Sequence, residues 1–315
     1  MPKITESNIE SFAIEQLQSL GWEYIHGLAI APGAEQSERE NFEQIILIDR
    51  LRKSLSIINP QIPKEAQEQA IQKVLRIYSP ELLHNNEEFH KLLVEKVKIP
   101  YQQDGYERSH EVALIDFDNL ENNQFLVINQ FTVIEKNQNK RPDIILFVNG
   151  VPLVVIELKN AADENATIES AFEQIQTYKA FIPSLFTYNA FCIISDGLEC
   201  KAGSISAGFN RFMAWKTSDG NKEASRFAPQ LEVLIKGMLN PATLLDIVRN
   251  FIVFQKTKKD DSKTGITQIH TDKILSAYHQ YYAVKKLLNR LLLLHAIMGT
   301  EKGALSGIHK GQVRV

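Results

Sequence analysis

The stretch from Arg141 to Lys159, RPDIILFVNGVPLVVIELK, constrains the fold of this chain more than any other. Two apolar runs flank Asn149-Gly150, the dipeptide that most strongly favours a tight β-hairpin turn. The second run is apolar on both faces, so its strand is predicted to lie inside a sheet. It nevertheless ends in Glu157-Leu158-Lys159. Because burying an unpartnered charge is costly, these side chains need a partner, a metal ion or solvent.

The register of this hairpin decides whether Asp143 meets Glu157. With a regular two-residue loop, Asp143 faces Ile156 and the two carboxylates stay apart. One additional residue, from a three-residue loop or a β-bulge, sets Asp143 opposite Glu157 with Cα atoms roughly 5 Å apart. The period of two along a strand also puts Glu157 and Lys159 on one face. In this second register, two carboxylates and an ammonium group converge.

Two carboxylates beside an ammonium group suit metal-assisted hydrolysis of a phosphodiester. Mg²⁺ takes oxygen ligands, typically one or two carboxylates, and keeps water and substrate phosphate in its other positions. Lys159 would orient or deprotonate the attacking water and offset charge in the transition state. The pattern Pro142-Asp143, thirteen residues, then Glu-x-Lys resembles the PD-(D/E)XK nuclease signature. The alternative interpretation of Glu-Leu-Lys is an exposed, salt-bridged strand end.

Composition and charge limit the class of protein. The chain has 315 residues, of which 44% are apolar and 23% charged, as in an ordinary globular protein with a large core. Its net charge of −3 means that strong DNA affinity must come from a local surface or from partners. Cys192 and Cys200 lack zinc-site spacing and fit a reducing cytoplasm. The longest apolar run, Leu291 to Met298, is too short for a bilayer, so we expect a cytoplasmic protein without a membrane segment.

Periodicity along the chain predicts a mixed α/β (α+β) fold with a mixed sheet flanked by helices. Helical spacing, with Asn86 as one cap, predicts helices over 5–20, 38–58, 63–77, 86–97, 166–181, 231–239, 241–254 and 271–298. Extended patterns predict strands over 22–26, 112–117, 125–134, 190–195 and 198–201, with 211–215 at the sheet edge. Strands 112–117 and 125–134 are expected to form a four-stranded antiparallel meander with the hairpin. The mixed-charge stretch 255–268 predicts a solvated linker or flexible loop.

Three helical side chains are further candidates for the site. Glu10 lies on the first predicted helix, either on a solvated face or as a third carboxylate near the metal. Gln174 and Tyr178 are four residues apart, which places them together on one helix face. From these residues alone, a tyrosine at the core boundary beside a solvated glutamine remains an open interpretation.

A wider set of motifs is similar to the R (restriction and translocation) subunit of type I restriction enzymes, over nearly the whole chain. These motifs are Leu114-Ile115-Asp116-Phe117, Val127-Ile128-Asn129-Gln130-Phe131, Arg141 through Asn160, Ala162-Asp163-Glu164-Asn165-Ala166-Thr167, Gln174-x-x-x-Tyr178-Lys179, Ile194-Ser195-Asp196-Gly197 and Tyr278-His279-Gln280. The resemblance implies a restriction-endonuclease-like PD-(D/E)XK core that cleaves DNA with Mg²⁺. It implies catalytic roles for Asp143, Glu157 and Lys159, with both carboxylates on the metal. It also implies that Gln174 and Tyr178 form the auxiliary motif shared with RecB-like nucleases.

In that family the chain continues into a superfamily 2 motor that hydrolyses ATP and translocates double-stranded DNA beside methyltransferase (M) and specificity (S) subunits. No GxxxxGK[ST] phosphate loop occurs in this sequence. Gln280 matches the adenine-reading glutamine of such motors, although a lone glutamine on a helix is usually solvated. We expect a nuclease domain over 1–255 and a linker with the start of a motor over 256–315. ATP would bind only to the full-length subunit, and no ATPase activity is expected here.

Two other functions remain to be weighed. One is a docking module with a nuclease fold and lost chemistry, against which the intact Asp143, Glu157 and Lys159 argue. The other is a stand-alone repair or junction-resolving nuclease, which would not need the motor-like segment from Tyr278 to Val315.

Overall fold

A six-stranded mixed sheet organises the protein, in a computed structural model that describes residues 5–160, 167–260 and 267–292. The strands are β1 Glu23–His26, β2 Val97–Gln103, β3 Tyr106–Val112, β4 Phe125–Asn129, β5 Val133–Glu135, β6 Gln138–Lys140, β7 Ile144–Val148, β8 Val151–Leu158, β9 Phe191–Ser195, β10 Cys200–Gly203, β11 Ile252–Asp260 and β12 Thr267–Leu275. The sheet order is β1-β4-β7-β8-β9-β10, with β1–β4 and β8–β9 parallel and the other pairs antiparallel. The strand pairs β2–β3, β5–β6 and β11–β12 form separate two-stranded sheets.

Helices surround this sheet, so the expected mixed α+β architecture is confirmed. They are α1 Glu6–Ser19, α2 Ile48–Ile58, α3 Lys64–Leu75, α4 Leu82–Glu95, α5 Ile168–Phe181, α6 Pro183–Thr187, α7 Gln230–Met238 and α8 Pro241–Asn250. Capping boxes at Thr5 and Thr167 satisfy the free N–H groups at the starts of α1 and α5. The chain divides into two units, Met1–Leu275 and Ser276–Val315, and in the second unit residues 278–292 are helical. None of the helices described here is long and apolar enough to cross a membrane.

The β7–β8 hairpin adopts the bulged register. Asn149 and Gly150 form its two-residue turn with φ of 53° and 80°, the left-handed values of a type I′ turn. The register shifts between Leu146 and Phe147, where Leu153 is the extra residue, and beyond the bulge Ile144 pairs with Ile156. The next residues outward are Asp143 and Glu157, so the register that brings them together is confirmed.

Residues around the bulge explain why it forms there. Pro152 has no N–H for the ladder, and in a central strand proline is tolerated at a bulge. The carbonyl of Leu153 accepts hydrogen bonds from the Ala190 N–H and from the Asn189 side chain, at 2.6 and 3.3 Å. The bulged backbone is therefore satisfied by neighbouring main chain and side chain.

Two predictions about helices in the first hundred residues are wrong, and the helix predicted over 241–254 ends at Asn250, before β11. The helix predicted over 38–58 covers only Ile48–Ile58, because the preceding segment folds around the buried Arg39 guanidinium, which donates to the carbonyls of Phe42, Gln44 and Thr132. Asn86 does not cap a helix but lies inside α4 and is fully buried. Both errors arise from long-range contacts that a local pattern does not contain.

The predicted four-stranded antiparallel meander is also wrong. Strand β3 ends at Val112, and the carboxylate of Asp116 instead organises a turn through backbone and side-chain groups of residues 118–122. The strand predicted over 125–134 is interrupted at Gln130, whose φ of 55° ends β4. Parallel β1, rather than a strand at 112–117, pairs with the outer edge of β4.

The C-terminal predictions need correction as well. In place of a linker over 255–268, the described residues 255–260 and 267–268 belong to β11 and β12, which pair along their length. Residues 271–275 are likewise strand, and the helix predicted to start at 271 begins at 278. The remainder of that predicted helix, 293–298, lies outside the described residues. Alternating charged residues on a two-stranded ribbon lack the apolar periodicity used to recognise strands, which is why the ribbon was missed.

Candidate active site

The two carboxylates predicted across the hairpin lie together at its open end. Strand β7 begins directly after Asp143, and Glu157 is the second-last residue of β8. Asp143 Oδ2 accepts a 2.7 Å hydrogen bond from the Leu158 backbone N–H. Only 8% of Asp143 and 2% of Glu157 are exposed to solvent. The bulged register thus buries two acidic side chains beside each other.

Lys159 brings a cation to this pair. Its Nζ lies 2.7 Å from Glu157 Oε1 and also donates to the Leu158 carbonyl oxygen at 3.0 Å. The Lys159 backbone N–H donates to the Ser195 carbonyl oxygen on β9 at 2.8 Å, which fixes the start of the side chain. One fifth of the Lys159 side chain is exposed, so the ammonium reaches the open edge of the cluster. Structure and sequence agree that Asp143, Glu157 and Lys159 converge.

Burial dominates the electrostatics of the three groups. It raises the pKa of Asp143 to about 6, with nearby Glu6 and Glu10 adding to the rise. Burial and the Asp143 charge raise the pKa of Glu157 to about 8. Burial alone would lower the pKa of Lys159, but the Glu157 and Asp143 carboxylates outweigh it and raise that pKa. The protein alone therefore stabilises two ionised carboxylates here poorly, and Glu157 keeps its proton at neutral pH.

One atom of the site lacks a partner. Among the described residues, Glu157 Oε2 is buried and accepts no hydrogen bond. A buried acceptor left without a donor is unfavourable by about 1–3 kcal/mol, and more when the group is charged. A cation or a bound water beside Oε2 would satisfy it. This atom is the clearest sign that the site is built to receive something.

Tyr178 and Gln174 lie on α5 as predicted. The Tyr178 side chain is buried, and its hydroxyl donates to the Arg141 carbonyl oxygen at a long 3.4 Å. It also lies near enough to the Glu157 carboxylate to shift the pKa of both groups. Its geometry nevertheless leaves Glu157 Oε2 without a hydrogen bond. Burial, with the Glu157 and Asp143 charges, raises the Tyr178 pKa, so the hydroxyl stays protonated as a donor. Gln174 is half-buried and lies next to Tyr178. The geometry puts Tyr178 beside the carboxylates and Gln174 next to Tyr178, and the roles of both stay predictions.

Glu10 lies on α1 close to Asp143. Both of its oxygens accept side-chain hydrogen bonds, from Asn129 and Gln130. In the described part of the chain, no three acidic, histidine or cysteine side chains lie close enough to share one metal ion. The donor set that the structure brings together is thus Asp143 and Glu157, and the role of Glu10 as a third metal carboxylate stays a prediction.

Comparison with known proteins decides which family this site belongs to. Residues 3–211 match the family model described as type I restriction enzyme R protein N terminus. The chain belongs to this family. The family resemblance inferred from the motifs is therefore confirmed.

Several endonuclease subunits align along most of this R protein N terminus. The HindI type I restriction enzyme endonuclease subunit of Haemophilus influenzae is 37% identical over 289 residues, 91% of this chain and 26% of the relative. A Methanocaldococcus jannaschii protein assigned as the MjaIXP type I endonuclease subunit is 33% identical over 90% of this chain and 27% of its own length. The SauCOLORF180P subunit of Staphylococcus aureus is 26% identical over 61% of this chain. The chain spans about a quarter of the length of the first two relatives.

Three residues around the candidate site were not predicted from the sequence. The negative charge of Glu6 raises the pKa values of Asp143 and Lys159. Asn129 and Gln130 donate hydrogen bonds to the Glu10 carboxylate. The signal for Glu6 was its spacing, four residues before Glu10 on one helix face. Nothing local marked the two amides as partners of a residue about 120 positions earlier.

Gln280, the predicted adenine contact, lies in the second unit. It is exposed, and its Oε1 accepts a 2.9 Å hydrogen bond from the Ala277 N–H at the start of the 278–292 helix. This contact is that of a helix cap. The adenine contact stays a prediction.

Proposed function

We propose that this chain carries the nuclease centre of a type I restriction enzyme R subunit and hydrolyses DNA phosphodiester bonds with a divalent cation such as Mg²⁺. The observation that carries the proposal is the buried Asp143–Glu157 pair with the unpartnered Glu157 Oε2. The relatives support the proposal, because they are named endonuclease subunits of type I restriction enzymes.

The residues present fit a hard divalent cation. Such ions take oxygen ligands and commonly use one or two carboxylates, the number that converges here. Asp143 and Glu157 would hold the ion, which would stabilise both carboxylates in their ionised form and give Oε2 a partner. When bound, the cation would activate a water molecule and offset charge on the phosphate.

Lys159 supplies a positive charge to the site. Held against Glu157 Oε1 and partly exposed, its ammonium would orient the attacking water and stabilise charge developing on the phosphate oxygens. Its raised pKa keeps it protonated at neutral pH, which favours the orienting and charge-stabilising role over that of a base. Tyr178 would donate from its hydroxyl to DNA backbone or to water around the ion, with Gln174 beside it.

Partners and motor activity belong to the larger protein in this proposal. The net charge of −3 offers little counterion release, so we infer that stable contact with double-stranded DNA depends on the M and S subunits and on an ATP-driven motor. We place the protein in the cytoplasm. A docking module without chemistry would not need the unpartnered Oε2, and a stand-alone nuclease is disfavoured by relatives about four times as long.

The test of the proposal is anomalous diffraction from crystals soaked in Mn²⁺. We expect one peak at the Asp143 and Glu157 carboxylates in the wild type, and none in Glu157→Ala. A wild-type site that stays empty at millimolar Mn²⁺ would refute the metal site and, with it, the proposed chemistry.

A further inference from the structure

Two consecutive amide side chains grip a single carboxylate next to the proposed nuclease centre. Asn129 Nδ2 donates to Glu10 Oε1 at 2.5 Å, and Gln130 Nε2 donates to Glu10 Oε2 at 2.8 Å. Asn129 is the last residue of β4 and Gln130 follows it, while Glu10 comes from the first half of α1. Each carboxylate oxygen keeps a second lone pair for another contact.

The backbone at Gln130 makes this grip possible. Along an extended strand, neighbouring side chains point to opposite faces, so two consecutive residues would not reach one group. Gln130 instead has a φ of 55°, a conformation that residues other than glycine rarely adopt. This turn of the chain directs both amides to Glu10. Such conformations persist where the surroundings enforce them, often at functional sites.

Neighbouring groups hold both amides in place. The Tyr24 hydroxyl donates to Asn129 Oδ1 at 3.1 Å, which leaves Nδ2 to face Glu10. Gly27 donates its N–H to the Asn129 carbonyl oxygen at 2.9 Å. A Cβ on Gly27 would lie 2.7–2.9 Å from the Asn129 and Gln130 main chain, so a larger residue would displace the amides.

Gln130 also connects the Glu10 carboxylate to Asp143. Its backbone N–H donates to the Asp143 carbonyl oxygen at 2.9 Å, so one residue contacts Glu10 through its side chain and Asp143 through its backbone. Glu10 is near enough to raise the pKa of Asp143. Because no three carboxylates of the described residues lie close enough to share one ion, Glu10 would reach a metal through a bound water.

We propose that Asn129 and Gln130 are positioning residues, which hold the Glu10 carboxylate toward the Asp143–Glu157 site so that it accepts a hydrogen bond from a metal-bound water. The inference rests on the proposed function. Groups that orient ligands from one step away typically change metal affinity 10–100-fold when removed.

The test uses Gln130→Gly, which removes the amide and relaxes the left-handed backbone. We expect Mn²⁺ affinity, measured by titration calorimetry on this chain, to fall roughly tenfold or more while the melting temperature holds. Asn137→Gly is the matched control, because Asn137 is an exposed amide residue with a φ of 65° in another turn. It should bind Mn²⁺ as the wild type does. In the assembled enzyme, Gln130→Gly should raise the half-saturating Mg²⁺ concentration for cleavage in the same proportion.

Wild-type Mn²⁺ affinity in folded Gln130→Gly would overturn the inference while leaving the proposed function intact, provided Glu157→Ala abolishes binding. Absence of binding in the wild type itself would instead remove the proposed function. If Gln130→Gly fails to fold, Tyr24→Phe decides the matter, since it frees the Asn129 amide to turn without changing the backbone. Weaker binding in Tyr24→Phe supports the inference, and unchanged binding overturns it.

Discussion

Two regions of this protein bury ionisable side chains, and they do so in opposite ways. The hairpin end buries Asp143 and Glu157 beside Lys159, with one carboxylate oxygen unpartnered among the described residues. The other region buries Lys273 of β12 at 3% exposure. Its Nζ donates to Asn86 Oδ1 and to the Asn189 carbonyl oxygen, at 2.8 and 2.7 Å. In the described parts of the chain, Lys273 forms no ion pair with a carboxylate.

Both regions have strongly shifted pKa values, yet their hydrogen bonds differ. Burial lowers the pKa of Lys273 to about 7, as burial raises that of Glu157 to about 8. Around Lys273 the polar groups satisfy each other, because the Asn86 amide also donates to three carbonyl oxygens, of Phe186, Thr187 and Asn189. A shifted pKa therefore marks both a structural lysine and the candidate site. An unpartnered oxygen on an ionisable group, Glu157 Oε2, is what distinguishes the candidate site from the Lys273 cluster.

The largest expected effect is loss of DNA cleavage on changing the hairpin cluster. Asp143→Ala, Glu157→Ala or Lys159→Ala in the full-length subunit should reduce cleavage at least about 10²-fold and leave ATP hydrolysis nearly unchanged. Stability should not fall in Glu157→Ala, since one of two repelling buried carboxylates is removed. Lys273→Met, which changes the other buried cluster, should keep the cleavage rate of folded enzyme. Cleavage by Glu157→Ala at the wild-type rate would end the assignment.

A smaller effect is expected for Tyr178. Because the ring is buried, Tyr178→Ala would leave a cavity, so Tyr178→Phe is the cleaner change. Loss of the hydroxyl should slow cleavage roughly tenfold with little change in melting temperature. Tyr188→Phe is the matched control, since Tyr188 is a buried tyrosine that packs edge-on against Phe89. Equal cleavage rates for the two variants would show that Tyr178 only fills space.

The buried Lys273 should change how the free energy of unfolding depends on pH. Its pKa is lowered to about 7 in the folded chain, whereas the unfolded chain titrates at the ordinary, higher value. Between these values Lys273 binds more protons in the unfolded chain than in the folded chain, so this residue by itself makes the free energy of unfolding rise with pH, by at most about 1.4 kcal/mol per pH unit. Burial raises the pKa values of Cys192, Cys200 and Glu157, so these groups bind more protons in the folded chain and contribute slopes of the opposite sign. The contribution of Lys273 is therefore the difference between the wild type and a variant that lacks its ammonium group.

Urea titrations at about pH 7.5 and 8.5 measure the net slope. In Lys273→Met it should be less positive than in the wild type, by up to about 1.4 kcal/mol per pH unit. Lys256→Met, which changes an exposed lysine of the same β11–β12 ribbon, should preserve it. Indistinguishable slopes in the wild type and Lys273→Met would mean that the ammonium is as well solvated as in water.

The smallest expected effect is stabilisation by a divalent cation. At ten times its dissociation constant, a bound ion adds about 1.4 kcal/mol to the free energy of unfolding. Mn²⁺ should therefore raise the melting temperature of the wild type and of Lys273→Met by a few degrees, and leave that of Glu157→Ala unchanged. Equal shifts in all three proteins would indicate that the ion binds elsewhere.

Local patterns predicted the part of the site that lies within one hairpin and its following helix. The Asn149-Gly150 turn, the apolar runs and the spacing of Asp143 from Glu157 are all encoded within nineteen residues, 141–159. The capping box at Thr167 likewise marks the start of α5. Such signals are local in origin, so a sequence displays them directly.

Contacts between distant segments were the part that could not be predicted. Arg39 determines the path of residues 38–47 by donating to Thr132, more than ninety positions away. Lys273 is an ordinary polar residue in a charged stretch until β12 places it against Asn86. The turn at Gln130, which splits a predicted strand, depends on Gly27 and Glu10. Each of these three contacts forms only when distant segments meet in the folded chain. No local sequence periodicity predicts them.

The bulge at Leu153 bears on how such sites are recognised in other chains. It adds one residue to β8, so that Glu157 rather than Ile156 faces Asp143. Thirteen residues separate the two acids here, whereas a regular hairpin with the same turn would bring two such carboxylates together with one residue fewer between them. A single insertion elsewhere in β8, with the bulge kept, would turn Glu157 to the opposite face of the sheet. The number of residues between the two acids and the presence of a bulge in β8 must therefore change together. A search that holds the spacing constant will pass over relatives whose β8 lacks the extra residue, even where the same two carboxylates meet.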